Sequence, residues 1–260
     1  MSNIILSLSS KLLKYFEDFG RFQVFAAKIF KVMYTRPFRL SLVIQHAYSF
    51  GVESVFIILL TAFFTGSVFG LQIGYVFSIF RAESLTGGAS ALALATELAP
   101  LVTGFLLTGR VGAAITAEIA TMVVSEQVEA IEAMGVDPID YLVVPRVWAS
   151  IFVMPLLCAL FMFMGTLGVY MTSLGIYAID PGVFVAKIIS LVEVSDIISG
   201  LRKMFFFSFI ISFLCCYEGL SASGGAKGVG MATTQAVVKV LMLILISDLV
   251  ISFIEVWWLR

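Results

Sequence analysis

Four carboxylates fall within the fourteen residues "SEQVEAIEAMGVDP" (125–138): Glu126, Glu129, Glu132 and Asp137, with no lysine or arginine among them. Carboxylates do acid–base or metal chemistry when a histidine, a cysteine or further ligands stand beside them. None of the four has such a neighbour in sequence, so the segment reads as a docking surface for a basic partner rather than as an active site. Glu97 and Asp248 are isolated in long apolar stretches. Ionisable groups in such stretches face a cavity or a partner. Counted at about 1.5 Å per residue, both lie at a similar depth on different spans, which suggests a shared polar rim of a cavity. His46 is the single histidine and cannot build a metal cluster. Cys158, Cys215 and Cys216 sit in apolar surroundings and read as buried thiols, neither disulfides nor metal ligands. Neither a metal nor a cofactor is expected. No G-x-x-x-x-G-K-[ST] phosphate loop occurs, and "GGAKGVG" (224–230) lacks its ending, so the chain does not carry a P-loop ATPase of its own. No basic run points to nucleic acid.

The elements that must carry these residues are dictated by composition. Of 260 residues, 60% are hydrophobic, 13% are charged and 24 are phenylalanine. A soluble domain needs far more polar surface. Repeated apolar stretches, each able to cross a core about 30 Å thick, predict an all-α integral membrane protein. Spans are expected at about 47–77, 88–111 (continuing as helix through Met122), 142–175, 200–218 and 234–257. Residues 10–34 have Leu12, Phe16, Phe19, Phe22, Ala26, Phe30 and Met33 on one side and Lys14, Glu17, Arg21, Lys28 and Lys31 on the other. That pattern predicts an amphipathic helix in the membrane interface, making residues 1–40 an interfacial segment and 41–260 the spanning domain. "TGGAS" (86–90) is expected to turn, and "GLSASGGAKGVGMATTQ" (219–235) to form a loop. A short surface helix is expected after Pro181, a kink at Pro155, and an interfacial anchor at Trp257-Trp258. Five spans place the termini on opposite sides. With the N-terminus inside, eleven of the sixteen Lys and Arg residues are cytoplasmic and five external, which favours N-in and C-out. The acidic segment is then cytoplasmic.

Helical spacing over 124–135 stacks Val124, Val128, Ile131 and Gly135 on one face, with Glu126, Glu129 and Glu132 along its flank. Gly135 can end that helix in a left-handed cap, and Asp137-Pro138 begins the next turn. This is a short helix between spans 2 and 3 with an apolar ridge and an acidic edge. Gly109, Ala113 and Ala117 recur every fourth residue and would let another helix approach closely. Arg110 and Glu118 stand two turns apart on one face, a spacing for packing or local pairing; Glu53 also sits in a span. Phe69, Phe77 and Phe80 are candidates to line an acyl-chain path.

Residues 97–150 resemble the permease subunit of MCE-associated lipid ABC transporters, the MlaE/YrbE family. The pattern is E-L-x-P, then G-R-x-G-x-x-x-x-A-E-I, then E-Q-x-x-A-x-x-x-M-G-x-D-P, then P-R, all present in order. "GGAKGVGMATTQAVV" (224–238) is similar to the family's second signature loop, and the resemblance extends over about 45–255. It implies a homodimeric permease of a bacterial inner membrane that moves phospholipid or a similar lipid and contributes to outer-membrane lipid asymmetry. It implies a cytosolic ABC ATPase bound to each copy, a periplasmic MCE-domain protein, and a small cytosolic STAS-domain subunit. The cytoplasmic helix between spans 2 and 3 would be the coupling helix, placing Glu126, Gln127, Glu129, Glu132, Met134, Gly135 and Asp137 at the ATPase contact. Some relatives carry a basic residue before the span-2 glutamate, where this chain has Thr96, so Glu97 lacks that countercharge. Two other classes fit the residues: a proton-coupled secondary transporter using Glu97 and Asp248, and a structural anchor for the MCE protein.

Overall fold

The computed structural model describes residues 2–36 and 39–258, excepting the side chains of 2–16, 18, 19 and 258. Those exceptions put Leu12, Lys14, Phe16, Phe19 and Trp258 of the expected amphipathic stripe and anchor outside the described side chains. The described residues form helices and no strands: α1 (Ser2–Thr35), α2 (Leu40–Ile79), α3 (Thr86–Ala93), α4 (Ala99–Leu107), α5 (Ala113–Val124), α6 (Gln127–Ala133), α7 (Val144–Gly175), α8 (Pro181–Leu191), α9 (Val194–Leu220) and α10 (Gly225–Trp258). Among them, five units are long and apolar enough to cross a membrane: Leu40–Ile79, Glu83–Val124, Ile139–Gly175, Val194–Leu220 and Gly225–Trp257. All-helical spans satisfy every backbone donor and acceptor within the segment, as a hydrocarbon core demands.

The tightest pairing is α2 against α7. Every fourth residue of α2 from Phe50 to Gly74 is buried, ending in the small run Ala62, Gly66, Gly70 and Gly74. A methyl group on Gly66 would strike the Gly165 carbonyl, and one on Gly168 would strike the Phe63 carbonyl. The Tyr177 ring covers Gly74, and its hydroxyl donates to the Leu71 carbonyl at 2.7 Å. Small residues replace side-chain bulk with backbone contact, which is how helices associate where lipid supplies no hydrophobic drive. α9 packs against α7, α10 and the second span. Its buried Phe207, Ile211, Leu214, Cys215 and Cys216 fill the centre. All three cysteines are free and buried.

The second span is interrupted twice by a π-helical turn, at Leu94–Leu98 and Thr108–Gly112, and the third begins with one at Ile139–Val143. Each of these turns carries one charged residue: Glu97, Arg110 and Asp140. An extra residue per turn rotates a side chain off the regular helical faces, and such turns are frequent at functional sites.

Three sequence expectations are corrected. "TGGAS" is no turn but the start of α3: a Cβ on Gly87 would meet the Phe184 ring at 2.6 Å, and one on Gly88 would meet Leu191 and the Lys187 carbonyl. The glycines serve close packing under α8 rather than chain reversal. The glycine- and serine-rich stretch is mostly the first turns of α10. The chain breaks only at Ser221–Gly224, with Gly224 and Gly225 at φ of +92° and +69°, and Ala232 packs with Ala120 and Ala222. The helix between spans 2 and 3 is seven residues, Gln127–Ala133, shorter than 124–135, because Glu126 adopts a left-handed conformation at φ 60° and separates it from α5. Gly135 does provide the left-handed stop, at φ +78°. The helix after Pro181 is present and is capped by Asp180, whose carboxylate accepts from the Gly182 and Val183 amides. Pro155 lies inside α7, with helix on both sides.

Candidate functional site

Inside the bundle, the functional residue that sequence reasoning missed is Lys203. Counted by sequence as an external cation, it is fully buried on α9. Its Nζ lies 2.7 Å from Glu97 Oε1 and 3.6 Å from Asp248 Oδ1. It donates to Ser252 Oγ at 2.7 Å, and Ser252 in turn donates to Glu97 Oε1 at 3.1 Å. Glu255 closes the group at 4.0 Å from Nζ, and accepts from Ser199 at 2.7 Å and from Arg202 at 2.5 Å. Glu97 from the second span and Asp248 from α10 thus share one lysine. Glu97 lies in the π-turn Leu94–Leu98, and its carboxylate reaches α9 there. Adjacency of Arg202 and Lys203 was the available signal: it sits inside a helix flanked by apolar residues, not in a loop.

Exposure divides the cluster. Lys203 is sealed, and the side chains of Asp248 and Glu255 are 13% and 16% exposed, whereas Glu97 and Arg202 are half exposed, at 47% and 53%. Two apolar grooves adjoin it in sequence. One, of about 380 Å³, is lined by Phe64, Thr65, Val68, Phe69, Gln72 and Leu98, the residue after Glu97. The other, of about 430 Å³, lies between α1, α9 and α10, where Phe30, Phe209, Ser247 and Ile251 form its walls. Both have the size of small-molecule sites. Of the phenylalanines singled out by sequence, Phe69 lines a groove; Phe77 and Phe80 line neither, and Phe80 stands 73% exposed past the end of α2.

Arg110 and Glu118 do not pair with each other. Arg110 reaches Glu53 on α2 at 3.2 Å, and Glu118 holds the buried Arg146 of α7 at 3.1 Å. Their shared face turns them toward two different neighbours. Gly109, Ala113 and Ala117 lie on an open face: among the described residues no other element comes within 4 Å of a Cβ built on Gly109, and the two alanines are half-buried. Close helix approach occurs elsewhere, at the glycines of α2 and α7, at Gly87 and Gly88 of α3, and at Gly200 of α9, whose added methyl would strike the Ala95 carbonyl.

The acidic segment forms a separate site. Glu126, Gln127, Glu129, Glu132, Met134 and Gly135 are all exposed, and Met134 is 72% exposed. No described side chain neutralises Glu126, Glu129 or Glu132. Val128 and Ile131 are half-buried between them. Asp137 differs: its Oδ1 accepts from the Ile139 amide at 3.0 Å and lies 3.7 Å from Lys28 of α1. Three residues on, the buried Asp140 accepts from Arg39 at 2.8 Å, and the Arg39 guanidinium sits 5.3 Å from the Tyr141 ring centroid. Among the described residues no three His, Cys, Asp or Glu side chains are grouped to hold a metal. His46 instead stacks on Phe50.

Five helices long and apolar enough to span, a buried ion cluster between three of them and an exposed acidic helix between two of them define a polytopic helical membrane protein. Comparison with known proteins makes that specific. The family described as "Permease MlaE" matches residues 43–254, and the chain belongs to that family of ABC transporter permeases. A probable ABC transporter permease protein of Rickettsia felis is 41% identical over 250 residues, 96% of each chain. One from Synechocystis is 43% identical over 204 residues, 78% of each chain. The intermembrane phospholipid transport system permease protein MlaE of Haemophilus influenzae is 36% identical over 256 residues, 97% of each chain.

Proposed function

We propose that this permease moves phospholipid between the bacterial inner membrane and a periplasmic MCE-domain protein, powered by a separate cytosolic ABC ATPase. It works as a homodimer with the N-terminus cytoplasmic and the C-terminus periplasmic, and a small cytosolic STAS-domain subunit completes the complex. Residues 1–40 are the interfacial segment and 41–260 the permease domain. The observation that carries the reading is the Lys203 cluster, because it offers two half-exposed groups of opposite sign, Glu97 and Arg202, on helices whose neighbouring residues, such as Leu98, line apolar grooves. A zwitterionic headgroup presents an amine to the first and a phosphate to the second, while acyl chains occupy apolar walls such as Phe69 and Leu98. Transport is differential binding: the site holds lipid in one state and loses that fit when the ATPase dimer closes.

α6 is the coupling helix. Its carboxylates are unneutralised among the described residues and its Val128–Ile131 ridge is short and apolar, a pairing that suits a basic groove with an apolar floor. Complementary charge there sets partner choice and register more than raw affinity. Gly109, Ala113 and Ala117 offer a close-packing face to a neighbouring helix of the dimer. The test is purification of the native complex in mild detergent, lipid mass spectrometry, and reconstitution into vesicles with labelled phospholipid and ATP. An ATPase should co-purify and lipid movement should require ATP. Movement driven by a pH gradient alone, with no ATPase bound, would instead establish a proton-coupled transporter.

A further inference from the structure

Two ion pairs next to α6, Lys28–Asp137 and Arg39–Asp140, join segments far apart in sequence. α6 is bounded by left-handed residues, Glu126 at φ 60° and Gly135 at φ +78°, so it is not a rigid continuation of α5 or α7. The segment just beyond Gly135 is fastened to the N-terminal part of the chain. Lys28 of α1 lies 3.7 Å from Asp137, and Arg39, at the N-cap of α2, donates to Asp140 at 2.8 Å. The second contact is the firm one. The Asp140 side chain is 8% exposed, and the aromatic face of Tyr141 backs the same guanidinium. Only the Asp140 side of the pair is buried, but separation would still leave that carboxylate unpaired where it has lost most of its water. α1 is itself held to α9 by Phe22 and Phe25 against Tyr217 and by Phe30 against Phe209 and Phe213. Phe30 is also a wall of the groove between α1, α9 and α10.

We propose that Arg39 and Asp140, assisted by Lys28 and Asp137, are positioning residues that make α1 move with the coupling segment and so open or narrow the α1–α9–α10 groove during the ATP cycle. The inference rests on α6 being the coupling helix. A displacement of α6 passes through Gly135 to Asp137 and the π-turn at Ile139–Val143; the Lys28–Asp137 contact hands it to α1 and the Arg39–Asp140 pair to the start of α2. Without these contacts, ATP is still hydrolysed by the partner, but the motion no longer reaches α1.

The test uses the reconstituted complex with its ATPase. Arg39→Gln and Asp140→Asn should each leave ATP hydrolysis in place and lower lipid moved per ATP by roughly tenfold, within the range typical of coupling between two sites. The reversed pair, Arg39→Asp with Asp140→Arg, should recover most of that loss. Lys28→Gln, at an exposed position, should give a smaller loss in the same ratio and guards against a folding defect in the buried variants. Spin labels at the exposed Gln23 and Ser221 should report a nucleotide-dependent distance change that Arg39→Gln abolishes. Wild-type lipid moved per ATP in Arg39→Gln and Lys28→Gln, or no distance change in the wild type, overturns the proposal. A wild-type complex that moves no lipid with ATP overturns the proposed function itself, so the two failures are distinct.

Discussion

Glu97 is the residue on which the transport reading can be examined most directly. Its carboxylate both pairs with Lys203 and accepts from Ser252, so glutamine can keep the hydrogen bonds and lose only the charge. Glu97→Ala should reduce ATP-driven lipid movement strongly while ATPase binding stays intact, and Glu97→Gln should do less harm if hydrogen bonding dominates. A structural role alone predicts the other pattern: lower thermal stability with normal transport per folded molecule. Lys203→Met is the severer change, because it leaves Glu97 and Asp248 facing each other without a cation. Removing one partner from a buried ion group costs about 3–5 kcal/mol, which should appear as a marked fall in melting temperature in detergent. At this scale the sequence is half legible. An acid inside an apolar span announces a partner, which singles out Glu97 and Asp248. Lys203 escapes notice, because it comes directly after Arg202 near an expected span boundary and resembles a snorkelling loop cation; only the helix geometry shows it turned inward.

At the scale of elements, α6 stands out because a non-glycine residue in the left-handed region sets it apart. That conformation costs an ordinary residue about 1–2 kcal/mol, and glycine adopts it freely. Glu126→Gly should therefore keep or raise the melting temperature of the permease, while Glu126→Val should lower it. If the acidic edge is the ATPase contact, Glu126→Gly should nonetheless weaken assembly, and reversing Glu126 and Glu129 together to lysine should weaken it further. Unchanged assembly and unchanged ATPase stimulation in the double reversal would remove this edge from the interface. The glycines of α2 give a second element-level expectation. Any side chain at Gly66 collides with the Gly165 backbone, so Gly66→Val should lower thermal stability, by about 1–3 kcal/mol or more for overpacking. Here the sequence contains a signal that spacing alone ranks too low. Ala62, Gly66, Gly70 and Gly74 repeat every fourth residue over three turns, a longer run than Gly109, Ala113 and Ala117, yet the shorter run is the more conspicuous because it lies beside charged residues. Glycine in "TGGAS" and "SGGAKG" reads as turn chemistry for a related reason: composition cannot distinguish a glycine that frees the backbone from one that admits a neighbour. Gly224 and Gly225 do the first and Gly87 and Gly88 the second.

For the whole molecule, span number and most span positions are legible, since hydrocarbon thickness and backbone satisfaction leave few options. Span ends are less so: α2 and α10 each extend well beyond the apolar minimum, because amphipathic turns continue the helix outside the core. Orientation rests on charge. Setting aside the two buried cations, Lys203 from the external count and Arg146 from the N-terminal side, leaves four external against ten on the N-terminal side, so the asymmetry behind the N-in, C-out reading is kept. The three native cysteines are buried, which makes a single introduced thiol a clean reporter. Trp257→Cys, at a 74% exposed position near the end of α10, should react with a membrane-impermeant thiol reagent added from the periplasmic side. Labelling only after the membrane is broken would invert the topology. It would then place the acidic face of α6 in the periplasm, out of reach of any cytosolic ATPase, and the coupling role of residues 125–138 would fall with it.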